Sequence, residues 1–261
     1  MLKRICHALG TALCLALLCG NVSAKDEKPV LRIGCEGAFA PFTFIDDKGE
    51  ITGFDIDLIR ELGEGLGYEV KITVYPFDGL IPALMADNID AIISGFTISP
   101  ERAKKVDFSE PYFLCGLNFL IRGEDEPKFR DLDSLKGQKI CLQIGTTGSL
   151  FAQKQLTGSE LKQFNSPPET YLELLNRGCS AVINDSSVND FFLARHKGEK
   201  VVAVPIDKDI DKEYYGIAVN KNHPEMLDTI NRGLKQVRAN GVFKRISEQW
   251  FGHDISSTLE E

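Results

Sequence analysis

The stretch NIDAIISGFTISPER, residues 88–102, joins a short apolar run to polar residues that suit the start of a helix. Ile89 to Ser94 is a continuous apolar segment of the kind that is buried on both faces of a parallel sheet. Ser99 suits a helix N-cap, and Pro100 suits the first helical position. A second segment, GCSAVIND at residues 178–185, also ends a buried run in polar residues. Both patterns predict α/β architecture with mostly parallel sheets.

Strands and helices alternate around both segments, which predicts two lobes of similar plan. Before the first segment we expect strands at 30–35 and 71–74 and helices at 55–66 and from Asp78 to about 86. Before the second we expect strands at 139–144 and 161–164, a helix from about Ser149, and a helix capped by Ser166 that runs to Leu175. One large sheet with a chance internal similarity is the alternative.

Two extended stretches, EPYFLCGLNFLIR at 110–122 and EYYGIAVNKN at 213–222, lie between the expected lobes. If both cross from one lobe to the other, lobe 1 comprises residues 25–115 and 213–261, and lobe 2 comprises residues 116–212. A double connection permits bending but restricts twisting, so we expect a cleft that closes.

The first 24 residues have the features of a secretory signal peptide. Lys3 and Arg4 form a positive n-region, residues 5–19 are apolar, and residues 22–24 are the small residues of a cleavage site. We therefore expect a soluble exported protein. A lipid anchor at Cys19 is the alternative, although the residues just before it lack the small side chain expected there.

The chain has a formal net charge of −8, and removal of the leader makes it more acidic. This argues against a nucleic-acid or anionic-membrane surface. Four cysteines remain after the leader: Cys35, Cys115, Cys141 and Cys179. Their spacing matches no zinc pattern, so we expect no metal site. Cys141 and Cys179 begin two strands expected to be parallel neighbours, which makes a disulfide feasible; buried free thiols are the alternative.

Ligands of parallel α/β sheets collect where strands end and helices begin. Four expected strand ends carry polar or aromatic residues, at 36–39, 95–102, 145–148 and 184–187. At the second, Arg102 falls in the first turn of the helix capped by Ser99. Free backbone N–H groups, the helix dipole and a guanidinium together suit a carboxylate or phosphate. A solvated arginine beside an ordinary cap is the alternative.

The third and fourth strand ends add two weaker signals. GTTG at 145–148 lets a ligand approach the backbone, but it lacks the lysine of a phosphate-binding P-loop. Asp185 ends a buried strand, where an aspartate is most often a cap or turn former. A carboxylate there, facing Arg102 and the hydroxyls of Thr97 and Ser99 across a cleft, would bind an ammonium beside a carboxylate. That arrangement suits a zwitterion.

Five motifs resemble one family. They are IGCEGAFAPFTFIDDKGEITGFDIDL (33–58), FDGLIPALMADNIDAIISGFTISPER (77–102), VDFSEPYF (106–113), GTTGS (145–149) and ANGVFKRISEQWFG (239–252). Together they resemble the polar amino-acid binding proteins of bacterial ABC importers over essentially the whole mature chain. The resemblance implies a two-lobed, hinged periplasmic-binding-protein fold of type II. It also implies a monomeric periplasmic receptor without a cofactor that binds a free L-amino acid and delivers it to a membrane permease.

The resemblance also implies residue roles. Arg102 would bind the ligand α-carboxylate, with Ser99, Thr146 and Thr147. Asp185 would bind the α-ammonium, with the Gly95 carbonyl and the Thr97 hydroxyl. Phe39 and Phe77 would sandwich the ligand side chain, and Glu36 would contact its far end. Gln143 and Asn184 are neutral and suit either an amide or a cation.

Glu36 opposite the ligand side chain favours arginine, lysine, ornithine or histidine, because flat aromatic faces also suit cations and alkyl stems. Glutamine stays open, since glutamine binders of the family also carry an acid and two aromatics. An enzyme of the cyclohexadienyl dehydratase type on the same scaffold is a less favoured alternative. A sensor module is also disfavoured, because no membrane-spanning segment follows in this sequence.

Overall fold

The computed structural model describes residues 28–206 and 213–259. The expected signal peptide, Cys19 and the expected end of lobe 2 at 212 lie outside the described residues. The strands are β1 Val30–Cys35, β2 Ala38–Phe39, β3 Thr43–Ile45, β4 Ile51–Thr52, β5 Glu69–Val74, β6 Ala91–Ile92, β7 Val106–Phe108, β8 Phe113–Cys115, β9 Leu117–Arg122, β10 Lys139–Gln143, β11 Glu160–Phe164, β12 Ala181–Asp185, β13 Val201–Pro205, β14 Glu213–Tyr215 and β15 Ala218–Asn220. The helices are α1 Phe54–Gly65, α2 Leu80–Met85, α3 Pro100–Ala103, α4 Thr147–Gln155, α5 Pro167–Leu175, α6 Ser186–Arg195, α7 Pro224–Ala239 and α8 Val242–Phe251.

Two five-stranded sheets share one plan. Their orders are β5-β1-β6-β15-β7 and β11-β10-β12-β9-β13. In the first sheet only β15 runs against the others, and in the second only β9 does. The expectation of two mainly parallel sheets is therefore confirmed. We call the unit built on the first sheet lobe 1 and the unit built on the second sheet lobe 2.

Both crossing stretches pass through a small two-stranded sheet. β8 and β14 pair antiparallel, with Cys115 opposite Glu213 and Phe113 opposite Tyr215. β8 leads directly into β9, and β14 leads into β15. Each crossing strand thus continues as the reversed strand of the sheet that it enters. This pairing is the two-stranded hinge that the sequence predicts.

Helices cover both faces of each sheet. In lobe 1, α1, α7 and α8 pack against one face through residues such as Leu58, Ile230 and Phe243, and α2 covers the other face. In lobe 2, neighbouring residues of β10 enter different cores: Ile140 packs with α4, whereas Cys141 packs with α5. The alternation follows from the two-residue repeat of a strand.

Several element boundaries differ from the sequence prediction. The strand expected from Ile89 to Ser94 is shorter: β6 comprises Ala91–Ile92, and the chain turns at Gly95, whose φ is +52°. Asp78 does not cap a helix: it lies in a 3-10 turn at Phe77–Gly79, and α2 begins after it. The helix expected from Ser149 begins earlier, because Thr146 is its N-cap.

The order of the lobe 2 sheet brings together the two cysteines for which a disulfide was feasible. β10 and β12 are parallel neighbours, and Cys141 is joined to Cys179 with 6.0 Å between their Cα atoms. Cys35 and Cys115 are buried free thiols. Within residues 28–206 and 213–259, no helix is both long and apolar enough to cross a membrane.

Candidate ligand-binding site

The loop between β6 and α3 forms the lobe 1 side of the site. Gly95 has a left-handed backbone, and a Cβ there would lie 2.3 Å from the Phe39 ring, so glycine is required. The Gly95 N–H donates to Asp55 Oδ2 at 2.6 Å. This buried hydrogen bond fixes the direction in which the following residues, including Thr97, enter the cleft.

Arg102 follows from this loop and contacts both lobes. Ser99 caps α3, its Oγ accepting from the Arg102 N–H at 3.3 Å. The guanidinium donates to the Thr97 carbonyl at 2.9 Å and to the Gly145 carbonyl of lobe 2 at 3.1 Å. It also lies 4.1 Å from the centre of the Phe96 ring. These contacts hold the side chain in place.

Arg102 keeps its charge although it is buried. Burial lowers its pKa to about 10, and the negative charges of Asp185 and Glu213 oppose that shift. Its two hydrogen bonds use only part of the five-donor guanidinium.

The sequence interpretation also relied on the dipole of the helix that carries Arg102, and here it needs correction: α3 has only four residues. The guanidinium, not the helix, supplies most of the attraction for an anion.

The loop between β10 and α4 forms one part of the lobe 2 side. The Thr146 hydroxyl donates to the Gln143 carbonyl at 2.8 Å and accepts from the Ser149 N–H at 3.1 Å. The Thr147 hydroxyl donates to Glu213 Oε2, on the hinge, at 3.2 Å. Both threonines are buried, so their conformations are defined by these bonds.

Asp185 forms the other part of the lobe 2 side. It occupies the N-cap position of α6, yet its side chain makes no cap hydrogen bond; the simpler interpretation as a cap is therefore wrong. Its Oδ2 accepts a short hydrogen bond from the Tyr215 hydroxyl. Burial raises its pKa to about 7; the Tyr215 bond and the charge of Arg102 lower the pKa, and Glu213 raises it.

Glu36 and Gln143 meet across the cleft from opposite lobes. Gln143 Nε2 donates to Glu36 Oε1 at 2.8 Å and to the Asn165 carbonyl at 3.0 Å. Glu36 Oε2 and Gln143 Oε1 are buried acceptors without a hydrogen-bond partner among the residues described. Burial raises the pKa of Glu36 to about 7. Unpaired buried acceptors are costly, so a ligand with several donors would stabilise this pair.

The two predicted aromatic walls are both buried. Phe39 is 3% exposed and packs beside Phe42, with ring centres 5.9 Å apart. Phe77 is 6% exposed and lies 5.6 Å from Phe96. Phe77 also faces Arg102, whose guanidinium carbon is 5.2 Å from the ring centre. Both rings are thus part of the lobe 1 cores as well as neighbours of site residues.

The sequence interpretation missed Glu213 and Tyr215. Both lie on β14, which it treated only as a connection between lobes. They are two residues apart, so their side chains leave the same face of the strand, and both bond to predicted site residues of lobe 2. The acidic residue followed by two tyrosines in EYY was the available signal.

The sequence pattern of the bacterial extracellular solute-binding proteins, family 3, matches residues 31–253. The chain belongs to this family. The L-arginine-binding protein of Pseudomonas aeruginosa is 35% identical over 258 residues, covering 95% of this chain and 97% of the relative. The L-cystine-binding protein TcyJ of Escherichia coli is 27% identical over 237 residues, covering 91% and 88%.

Solved structures of the family have the same fold. An ancestral arginine-binding protein bound to arginine is 36% identical, with a TM-score of 0.82 over 86% of this chain and 99% of its own. An ancestral arginine-binding protein has also been solved bound to glutamine, and it is likewise 36% identical to this chain. These relatives are named as amino-acid-binding proteins. An ancestral precursor of cyclohexadienyl dehydratase is 36% identical, with a TM-score of 0.79 over 85% of this chain and 95% of its own, and it too is described as an amino acid-binding protein. The chain accordingly belongs to a solute-binding family, and these relatives are named as binding proteins and not as enzymes.

Proposed function

We propose that this protein captures a free L-amino acid in the periplasm, between two closing lobes, and delivers it to an ABC permease. Lobe 1 would comprise residues 25–115 and 213–261, and lobe 2 residues 116–212. The observation that carries the proposal is the pair Arg102 and Asp185. They are buried charges of opposite sign from the two lobes, close enough for each charge to shift the other's pKa. A carboxylate and an ammonium on one carbon atom match such a pair.

The proposed roles divide the site into three parts. The α-carboxylate binds Arg102, Ser99, Thr146 and Thr147. The α-ammonium binds Asp185, the Gly95 carbonyl and Thr97. The ligand side chain lies between Phe39 and Phe77 and ends at Glu36 and Gln143.

We propose a basic side chain, and arginine first among the basic amino acids. The two unpaired atoms of the Glu36–Gln143 pair are both acceptors, and a guanidinium offers several donors in one plane. Its positive charge would also keep Glu36 ionised. Glutamine is the alternative, because its amide also donates, although its own oxygen would then need a donor. Ancestral arginine-binding proteins have been solved with arginine and with glutamine, which supports keeping both ligands.

We propose a monomer exported through the leader peptide. The family description as extracellular proteins supports export. Cleavage of the leader is checked by sequencing the N-terminus of the exported protein, with Lys25 expected as the first residue. Retention of lipid at Cys19 would contradict it.

A thermal-shift screen over the twenty amino acids, ornithine and cystine tests the ligand. A ligand at 100 times its Kd stabilises the folded chain by roughly 2.7 kcal/mol, so arginine should give a clear rise in Tm. Calorimetry then ranks the amino acids that raise Tm by their Kd. A rise with glutamine alone would replace the basic ligand with the alternative, and no rise with any amino acid would contradict the proposed function.

A further inference from the structure

β14 carries two side chains that reach the ligand site from the hinge. Tyr215 donates its hydroxyl to Asp185, and Glu213 accepts from the Thr147 hydroxyl at 3.2 Å. Because the two residues leave the same face of the strand, one short strand contacts both lobe 2 segments of the site.

The backbone of β14 is joined to the lobe 1 segment of the site. Ile98 N–H donates to the Tyr214 carbonyl at 2.7 Å, and Gly216 N–H donates to the Phe96 carbonyl at 3.1 Å. Thr97 forms an isolated bridge with Tyr215. The strand is therefore fixed to the loop that carries Arg102, while its side chains hold lobe 2.

We propose that β14 couples the two halves of the site, and that Tyr215 is the positioning residue that fixes Asp185 when the lobes close. The inference rests on the proposed function, since it assigns to Asp185 the ligand ammonium. One phenol hydroxyl then links the closing of lobe 2 to the orientation of that carboxylate. Tyr215 is fully buried and stacks on Phe113, with ring centres 5.3 Å apart, so the hydroxyl has a fixed position.

Tyr215→Phe removes only this hydroxyl, and Tyr214→Phe is the matched control. Tyr214 lies on the opposite face of the same strand, and its hydroxyl makes no hydrogen bond within the described part of the chain. Loss of a hydrogen bond to a charged group should weaken binding roughly ten-fold or more in Tyr215→Phe. The control should stay within about two-fold of wild type, an effect below the net contribution of a single hydrogen bond. Calorimetry with the amino acid selected by the screen measures both, and thermal melts check that both variants fold.

The pH profile of ligand binding distinguishes a Tyr215 that positions Asp185 from a Tyr215 that only stabilises the fold. Asp185 must be ionised to bind an ammonium, and the Tyr215 bond lowers its pKa. Tyr215→Phe should therefore move the loss of affinity on acidification to higher pH. Glu213→Gln keeps an acceptor for Thr147 but removes a neighbouring negative charge, which should move the same loss to lower pH. The titratable and charged groups that face Asp185 are Tyr215 and Glu213 on β14, Arg102 on α3, Cys115 on β8 and Tyr171 on α5.

A shift of the pH profile to higher pH in Tyr215→Phe and to lower pH in Glu213→Gln would support the inference. Both shifts can be measured even if the change in affinity is small. If wild type binds an amino acid and Tyr215→Phe matches it in Kd and pH profile, the inference is wrong and the proposed function stands. If wild type binds no amino acid, the proposed function fails. The coupling is then judged by small-angle scattering of the free chain: a larger radius of gyration for Tyr215→Phe than for Tyr214→Phe supports it, and equal radii overturn it.

Discussion

Two buried aspartates, Asp55 in lobe 1 and Asp185 in lobe 2, have the same kind of partner in different surroundings. Each accepts a hydrogen bond from a buried tyrosine, Tyr112 for Asp55 at 2.9 Å and Tyr215 for Asp185. Burial raises the pKa of each to about 7. The two aspartates differ in the charge of their other neighbours.

Asp55 is surrounded by neutral groups, whereas Asp185 lies among charges. Asp55 Oδ2 also accepts from the Gly95 N–H, and its Oδ1 has no partner among the residues described. The charges of Arg102 and Glu213 both act on Asp185. Burial and a tyrosine partner are therefore common to both aspartates, and the ligand-binding role proposed for Asp185 rests on its charged neighbours. Asp185 is distinguished by the charges of Arg102 and Glu213. Asp55 instead accepts from the Gly95 N–H and so positions the loop between β6 and α3.

The largest expected effect separates the two aspartates by ligand affinity. Asp185→Ala leaves a ligand ammonium unpaired in a desolvated cleft, which should cost roughly 2–5 kcal/mol of binding free energy. Calorimetry with the preferred amino acid measures this. Asp55→Ala should lose much less affinity, because Asp55 reaches the ligand only through Gly95. Equal losses in the two variants would remove the distinction.

The next effect separates them by stability. Asp55→Ala leaves the Gly95 N–H and the Tyr112 hydroxyl unpaired inside lobe 1, which should lower the free energy of unfolding by roughly 2–4 kcal/mol. Among the residues described, the Asp185 carboxylate has one hydrogen-bond donor, the Tyr215 hydroxyl, so Asp185→Ala frees one buried group where Asp55→Ala frees two, and its loss should be smaller. Urea denaturation of both variants without ligand is the measurement. A larger loss for Asp185→Ala would contradict the assignment of Asp55 as the structural member.

The same pair shows what the sequence could and could not predict. Asp185 was recognisable because it ends a buried apolar run, and Arg102 because it follows Ser99 and Pro100. The parallel sheets followed from the same runs. Asp55 was predicted only as the first residue of a helix, since its partners lie 40 and 57 residues away.

Glu213 and Tyr215, on the hinge strand β14, were not predicted for the same physical reason. Tyr215 and Asp185 are 30 residues apart, and Glu213 and Thr147 are 66 apart. Local patterns indicate strands and caps, because those depend on neighbours within a few residues. Side-chain pairs between lobes depend on how β8 and β14 pair. That pairing joins segments far apart in the chain, and local sequence patterns do not specify it.

The last expected effect, the smallest over any one pH unit, is on the pH dependence of stability. Both carboxyls have a pKa of about 7 in the folded chain, against an ordinary value of 3.8. Between about pH 4 and 7 the folded chain therefore holds more protons than the unfolded chain, and the free energy of unfolding should fall as the pH rises through that window. One such group contributes a slope of up to about 1.4 kcal/mol per pH unit.

A bound amino acid should affect only one of the two slopes. A ligand ammonium favours ionised Asp185 and removes its contribution, but it does not reach Asp55. Urea denaturation from pH 4 to 7 should show that Asp55→Asn flattens the profile with and without ligand. Asp185→Asn should flatten it only without ligand. If ligand abolished the effect of Asp55→Asn as well, Asp55 would also sense the bound ammonium, and the division between a structural and a ligand-binding aspartate would no longer hold.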